Sequence, residues 1–480
     1  MISLSNIEIV LGGLVLAYVA FNVTWLFNEK SGPPRVPYYV PFLGHTYQLR
    51  SRAAEFLDEC RAKYGNVFTL NFAGEQVIVF SGEEAREMVK MQDVLVAESH
   101  NKMMFVSDAV GGWQGAMGLP EHQLDAATVV KSNVSNLLKD VLPDVLAQIE
   151  KSIDEQLGTL EDPIAVDAHA FFSEIVVSTV AILLVGHKLA KNKDLKRIMA
   201  TYFSEVEGMM RLGLKWKSFP LIGNQIAQAT IRSTTPSIRI RQEIKTIIKP
   251  VFHERQPNSS PATNLLESLI DDGSDIDAAA HLLMVLIFAA ISTTTNTCLN
   301  LLGDLLAFPK FFGRLKQEQE QVVKDGEVVT KDHLEQMEHL NSAIRETLRH
   351  RAHRIGQWRI TCKPHVLRNG LGIPKGSLLA LDATSLHFNE AAYSSANEYD
   401  PFRFVGTGLN ATRVNSSFIG FGSGRHACPG RFFAVQEVTS IMSTLLRKCN
   451  FATEDGKPGQ FKAKDTYVRN YKVVLSKSTV

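Results

Sequence analysis

The sequence predicts a mainly α-helical protein with a small β region, preceded by one N-terminal transmembrane helix. Three observations support this prediction. Apolar residues recur at spacings of three and four through residues 119–249, which is the helical period. The β-rich runs Val67–Phe72 and Gln76–Phe80 flank a turn that contains Gly74, which indicates a pair of strands. Residues 9–27 carry no charge, so the chain starts with a segment apolar enough for a bilayer.

The composition is that of an ordinary globular protein with a large core. The chain has 480 residues, of which 45% are hydrophobic and 21% are charged. A net charge of +1 and the lack of a basic tract argue against a nucleic-acid partner. The cysteines are odd in number and have no CxxC spacing, which argues against a disulfide scaffold, a zinc site and an iron–sulfur cluster. They are Cys60, Cys298, Cys362, Cys428 and Cys449.

The N-terminal segment, residues 1–29, is predicted to be an uncleaved membrane anchor. A signal peptide would begin with basic residues, whereas the only early charge here is Glu8. Lys30 and Arg35 follow the span, so the positive-inside rule puts the rest of the chain in the cytosol. The alternative is an N-terminal core helix. Residues 30–45 are rich in proline and predict a stiff hinge.

Several later elements follow from their local patterns. Phe56–Tyr64 and Glu83–Lys90 are predicted helices, and a last strand is predicted near Tyr471–Leu475. Residues 280–306 form an almost wholly apolar helix, with Ser274 or Asp275 as its N-cap. Polar residues inside this segment favour a buried central helix over a second membrane span.

The segment 418–433 is rich in glycine and contains Cys428. Pro429 suits the first position of a helix, which puts Cys428 at or beside the N-cap. The positive end of the helix dipole and several unpaired backbone N–H groups favour a thiolate there, next to Arg425 and His426. A thiolate on a rigid loop is what an axial haem ligand requires. The alternative is a buried structural cysteine on a glycine-rich turn.

Five positions of this segment resemble the haem-binding signature of the cytochrome P450 monooxygenases. Phe421, Gly424, His426, Cys428 and Gly430 stand at the spacing of that signature. The resemblance implies that they bind the cofactor, with Cys428 as the axial ligand of the haem iron.

The central helix contains Ala289-Ala-Ile-Ser-Thr-Thr-Thr295, which resembles the oxygen-activation motif of the same family. Thr293 stands at the position of the family's alcohol. Ser292 replaces the usual acid, which leaves the route of proton delivery open. Ser and Thr hydroxyls can also bond back to carbonyls and bend a helix, so a kink without chemistry is the alternative.

Two further motifs resemble structural parts of the family. Glu346 and Arg349 are three residues apart and therefore share one face of a helix. They match the family's Glu-x-x-Arg motif, and Arg403 in the segment Tyr399–Phe404 would complete a Glu–Arg–Arg network. The network is expected to support the core without taking part in the chemistry. The alternative for each residue is a solvated charge.

The resemblance also implies cationic or polar contacts with the haem propionates. Arg359 is the candidate arginine for one propionate, with a solvated arginine as the alternative. His122 or Lys131 is the candidate for the other, although the family's Trp-x-x-x-Arg pattern is absent.

The family resemblance implies a cytochrome P450 fold for residues 46–480 as a single haem-binding catalytic domain. It implies haem b, dioxygen, a small apolar substrate, membrane lipid, and electrons from NADPH through a separate reductase. Basic residues near the cysteine are candidates for the reductase-docking face, with an ordinary solvated surface as the alternative. They are Arg425, Arg431, Arg447 and Lys448.

The divergent acid position is similar to that of fungal microsomal members of secondary metabolism. This likeness implies hydroxylation of an apolar polycyclic compound, such as a terpenoid or steroid-like molecule, at the endoplasmic reticulum membrane. Two alternatives stay open. One is a haem-thiolate enzyme that catalyses isomerisation, desaturation or oxidative ring formation without retaining oxygen. The other is a haem- or lipid-binding protein without turnover.

Overall fold

The computed structural model describes Gly13 and residues 32–38, 43–91, 94–96, 109–110, 126–217, 222–324, 326–465 and 470–478. The predicted anchor lies outside the described residues apart from Gly13, as do part of the proline-rich hinge and His122.

The described residues are mainly helical, as predicted. The α-helices are α1 (Thr46–Ser51), α2 (Ala53–Tyr64), α3 (Gly82–Lys90), α4 (Ala126–Val129), α5 (Ser135–Leu157), α6 (Ala168–Ala190), α7 (Lys193–Lys217), α8 (Gly223–Thr234), α9 (Ser237–Glu254), α10 (Leu265–Asp271), α11 (Ile276–Ala307), α12 (Phe312–Val322), α13 (Lys331–Gln336), α14 (Glu338–Arg351), α15 (Ala383–His387) and α16 (Arg431–Lys448). A π-helical turn, Val130–Val134, joins α4 to α5, and 3-10 turns occur at Pro309–Phe311 and Gly424–His426.

The β region is small and forms separate sheets. The strands are β1 (Val67–Phe72), β2 (Glu75–Phe80), β3 (Leu95–Val96), β4 (Ile164–Asp167), β5 (Ile355–Thr361), β6 (His365–Val366), β7 (Gly372–Ile373), β8 (Leu378–Asp382), β9 (Cys449–Thr453) and β10 (Lys472–Lys477). The largest sheet has the order β1-β2-β8-β5-β3, beside a three-stranded sheet β4-β10-β9 and the pair β6-β7. The predicted β1–β2 hairpin is confirmed, with Phe68 opposite Val79.

The largest hydrophobic core surrounds helix α11. Residues of α5, α6, α7, α9, α14 and α16 belong to the same buried cluster as Leu299 and Leu302 of α11. Helices α6 and α11 are long and apolar enough to cross a membrane, but the most apolar window of α6 is 78% buried within the protein. Burial of this kind is what a core helix needs, since its apolar surface is already covered.

Local chemistry determines where the central helix begins. The carboxylate of Asp275 accepts the backbone N–H of Ala278 at 2.7 Å, so Asp275 is the N-cap. Helix α11 therefore starts at Ile276, four residues before the predicted segment.

Helix α16 begins two residues later than the sequence predicts. Its first backbone acceptor is the carbonyl of Gly430, which receives the N–H of Ala434 at 3.0 Å. Pro429 and Gly430 belong to the turn that leads into the helix, because the carbonyl of Cys428 accepts Nη1 of Arg431 at 2.8 Å rather than a backbone N–H of a helical turn.

Candidate functional site

The cysteine loop, residues 418–430, ends at Cys428 just before α16. The backbone N–H of Cys428 donates to the carbonyl of Phe421 at 2.7 Å, which closes the loop on itself. Gly422 has a φ of +82°, and a Cβ there would lie 3.2 Å from Nε2 of Gln357 and 3.3 Å from the carbonyl oxygen of His426. Glycine is therefore required at this position for both backbone conformation and space.

Cys428 is exposed as a residue. Burial by surrounding protein atoms raises the pKa of the thiol, while the backbone N–H groups of Gly430 and Arg431 and the charge of Arg431 lower it. Burial is the largest effect, so the polypeptide alone holds the pKa above its ordinary value. A coordinated metal ion would reverse this balance, because it deprotonates a ligating thiol outright.

Helix α11 presents an accessible stripe beside a buried face. Ala289 and Thr293 are exposed, whereas Ile291, Thr294 and Thr295 are buried. Since residues four apart share a helix face, the exposed positions form a continuous strip.

The hydroxyl groups of the stripe are held within the helix. The Thr293 hydroxyl donates to the carbonyl of Ala289 at 2.8 Å. Nδ2 of Asn296 donates to the Ser292 hydroxyl at 3.2 Å. Ser292 is thus an acceptor in this pair, and its own hydrogen has no acceptor among the described residues.

Cationic side chains gather beside the cysteine loop. Arg359 on β5 is buried, and burial followed by the charge of Arg425 lowers its pKa. Burial also lowers the pKa of His426, and the charges that add to this shift come from Arg359, Arg425 and Lys131. Cations that lower one another's pKa values form a field suited to an anionic group.

This cluster includes two of the candidates for propionate contacts. Arg359 and Lys131 both lie close enough to His426 to act on its titration. The third candidate, His122, lies outside the described residues.

Glu346, Arg349 and Arg403 meet in the interior. The carboxylate of Glu346 accepts Nε and Nη2 of Arg349 at 2.8 and 2.7 Å, and Nε of Arg403 at 3.1 Å. Burial opposes ionisation of Glu346, but hydrogen bonds from Arg349 and His350 outweigh it and lower the pKa of Glu346 to about 2. The carboxylate therefore stays charged and paired, as a buried charge must.

The same arginines fasten the segment that leads to the cysteine loop. Nη1 of Arg349 donates to the carbonyls of His387 and Ala396 at 2.6 and 2.7 Å. Nη2 of Arg403 donates to the carbonyl of Glu398 at 2.9 Å. The network therefore braces the backbone of residues 387–403.

Sequence reasoning missed two residues that hold the start of the loop. Arg345 is fully buried, and its guanidinium stacks on the ring of Phe418 at 3.7 Å. The second residue is His387, whose ring stacks on the same Phe418 ring with the two centroids 5.5 Å apart. Arg345 precedes the predicted Glu346, but no local pattern distinguishes it from a solvated arginine.

Comparisons with known proteins identify the family. A family model for cytochrome P450 matches residues 34–475. Cytochrome P450 monooxygenase 151 of Postia placenta is 27% identical over 476 residues, covering 92% of each chain. Lanosterol 14-alpha demethylase of Cunninghamella elegans is 24% identical over 90% of this chain and 87% of its own. Cytochrome P450 monooxygenase paxQ of Penicillium paxilli is 23% identical over 92% and 91%, respectively.

Proposed function

Because the chain belongs to the cytochrome P450 family, we propose that it is a haem-thiolate monooxygenase acting on an apolar polycyclic substrate. One atom of dioxygen would enter a C–H bond of the substrate and the other would leave as water, with two electrons supplied by NADPH through a reductase. The observation that carries the proposal is the exposed residue Cys428 at the end of a closed loop, near the buried guanidinium of Arg359 and the His426 ring.

The residues fit haem b. The Cys428 sulfur would ligate the haem iron, and Phe421, Gly424 and Gly430 belong to the loop around it. The guanidinium of Arg359 and the ammonium of Lys131, both close to His426, would suit the two carboxylates of the haem. Haem, when bound, supplies the dioxygen chemistry, and the chain orients the substrate and controls the surroundings.

The stripe on α11 would manage protons. Thr293 keeps its hydroxyl close to the helix backbone through the bond to Ala289, which fixes the direction of its oxygen lone pairs. Ser292 accepts from Asn296 and retains a hydrogen to donate. A proton held at the Ser292 hydroxyl, relayed through water, would take the part of the missing acid.

The absence of an acid at position 292 favours one alternative. With slower proton delivery, a haem-thiolate site can rearrange, desaturate or cyclise its substrate without retaining oxygen. The two reactions differ in whether label from dioxygen appears in the product.

A reductase would dock on the face that carries the cysteine loop. Arg431 reaches the carbonyls of Thr412 and Cys428 at 3.2 and 2.8 Å, and the ring of Phe432 beside it is exposed. Carbonyl groups leave the positive charge of Arg431 uncompensated, whereas Lys448 is paired with the carboxylates of Glu150 and Asp154. We therefore assign docking to Arg425 and Arg431 rather than to the far end of α16.

Membrane contact is proposed for the surface near the β1–β2 turn. Leu43 and Tyr47 are exposed. They lie near this turn because Gly44 forms a β-bridge with Phe72 at the end of β1. Trp216 at the end of α7 is also exposed.

An ion pair brings the end of α7 to the same turn. Nζ of Lys217 lies 3.6 Å from the carboxylate of Glu75, the first residue of β2. Exposed apolar side chains from two parts of the chain thus face one side, which suits a protein anchored to the endoplasmic reticulum by residues 1–29 with its catalytic domain in the cytosol.

The test is a turnover assay with an NADPH reductase, isotopically labelled dioxygen and a panel of terpenoid and steroid-like compounds. The name of the sterol-demethylating relative guides the panel. Label in the product supports the monooxygenase. An altered skeleton without label supports the alternative, and product formation by a Cys428→Ser variant would contradict the axial thiolate.

A further inference from the structure

Strand β5 contains a bulge next to the cysteine loop. Gly356 and Arg359 pair with β8 and are three residues apart, but their partners Leu381 and Leu379 are only two apart. Inside the bulge, Gln357 has a φ of +53°. A residue with a Cβ rarely adopts this left-handed conformation, and such strained positions cluster at functional sites.

The extra residue changes which way the neighbouring side chains point. Trp358 turns into the core beneath the sheet, where its ring stacks on Phe72 with centroids 5.9 Å apart. Gln357 is directed to the cysteine loop, where its Oε1 accepts the Ser423 hydroxyl at 2.9 Å. Bulges commonly re-aim a side chain in this way.

The residues of the cysteine loop that contact β5 are also closely packed. Ser423 is buried. Its neighbour Gly422 approaches the Gln357 amide so closely that a Cβ would lie 3.2 Å from Nε2. Three features therefore occur together where β5 meets the loop. They are the left-handed backbone of Gln357, its hydrogen bond to Ser423, and the lack of a side chain at Gly422.

We propose that Gln357 is a positioning residue that fixes the cysteine loop against strand β5 through Ser423. The bond sets the distance between Cys428 on the loop and the guanidinium of Arg359 on the strand. This inference rests on the proposed function, in which those groups bind the centre and the edge of one haem.

The reason is mechanical. Arg359 lies two residues beyond Gln357 on the strand, and Cys428 lies five residues beyond Ser423 on the loop. The bond from Cys428 N–H to the Phe421 carbonyl makes the loop move as a unit. A rigid, planar cofactor held at both places tolerates only a small change in their separation, so a loosened loop weakens both contacts at once.

The test uses the full-length, haem-loaded enzyme and variants from both sides of the bond. Gln357→Gly removes the amide and also relieves the backbone, and Gln357→Asn tolerates the left-handed conformation but is one methylene shorter. Ser423→Ala removes the partner hydroxyl. Ser377→Ala, in the turn before β8, is the matched control because its hydroxyl bonds only within that turn.

Two properties are measured: the rate of haem transfer to an excess of apomyoglobin, and the Soret position of the reduced carbon-monoxide complex, which reports the axial thiolate. Each Gln357 and Ser423 variant should release haem about fivefold faster, the factor that one neutral hydrogen bond is worth. A larger share of each complex should lose the thiolate signature. The double variant should be no worse than either single one, and Ser377→Ala should match the wild type.

The outcomes separate this inference from the proposed function. Unchanged haem release and spectra in Gln357→Gly would overturn the inference, as would effects that simply add in the double variant. If Gln357→Gly does not fold, Ser423→Ala tests the same bond from the loop. If the wild type itself binds no haem through a thiolate, the proposed function is wrong as well.

Discussion

The backbone N–H of Ile419 donates to Nε2 of His387 at 2.9 Å. Nδ1 of the same ring lies 2.9 Å from the carbonyl oxygen of Arg349, so Nδ1 carries the hydrogen and donates it. Burial and the nearby arginines lower the pKa of His387 to about 3, which keeps the ring neutral. His387 thus connects the Glu346–Arg349 pair to the start of the cysteine loop.

Replacement of His387 by leucine should destabilise the protein strongly. The change leaves the Ile419 N–H and the Arg349 carbonyl without this partner in the interior, at a cost of about 1–3 kcal/mol each. The midpoint of thermal unfolding should therefore fall by several degrees. The control is His187→Leu, because His187 forms an exposed pair with Asp144 and should change the midpoint little. Equal midpoints for the two variants would contradict the role of His387.

Arg349→Leu should destabilise the protein as strongly as His387→Leu, for a different reason. It leaves the buried carboxylate of Glu346 with Arg403 as its remaining arginine, and breaking a buried pair costs about 3–5 kcal/mol. The expected result is little soluble, haem-containing protein on expression. Arg211→Leu breaks the exposed pair with Glu207 and should leave the yield unchanged. A normal yield of Arg349→Leu with wild-type thermal stability would show that the network does not support the core.

The parts of the site that depend on local pattern could be predicted from the sequence. The spacing of Glu346 and Arg349 puts both on one helix face, and that pairing follows from helical geometry alone. The polar stripe of α11 follows in the same way. The loop around Cys428 is recognisable because its residues lie within one short segment.

The parts that depend on distant segments could not be predicted. His387 is 32 residues from Ile419, and Gln357 is 66 residues from Ser423. Only the folded arrangement brings these residues together, and the residue type of Gln357 gives no sign of its left-handed backbone. The sequence predicts that α16 starts at Pro429, but the Arg431 side chain bonds to the carbonyl of Cys428 and the helix starts at Arg431.

The proposed role of Thr293 can be separated from its effect on the helix. Thr293→Ala should lower the rate of product formation about 10²-fold, since a positioned proton-handling group contributes at least that factor to the rate. Thr297→Ala is the matched control, because its hydroxyl makes the same kind of bond, to the carbonyl of Thr293 at 2.8 Å. Equal losses in the two variants would indicate that the hydroxyls only shape the helix.

Glu437 on α16 is a buried carboxyl that the proposed mechanism does not use. Burial raises its pKa to about 8, and the Thr179 hydroxyl of α6 donates to one of its oxygens. Its other oxygen has no partner among the described residues. Cys298 of α11 lies near enough for Glu437 to raise the pKa of its thiol. Because its pKa is about 8, the Glu437 carboxyl is mostly protonated at neutral pH.

The raised pKa of Glu437 makes stability depend on pH in a definite direction. The folded state holds the proton up to about pH 8, whereas the unfolded carboxyl releases it near 4.5, so stability should fall as the pH rises between these values. The loss over the whole window is at most about 5 kcal/mol. Glu437→Gln removes this dependence and should be more stable than the wild type at about pH 9. The free energy of unfolding, measured at several pH values, checks this prediction, and Glu254→Gln at an exposed ion pair is the control. Parallel pH profiles for the wild type and Glu437→Gln would mean that the Glu437 carboxyl is ionised in the folded protein.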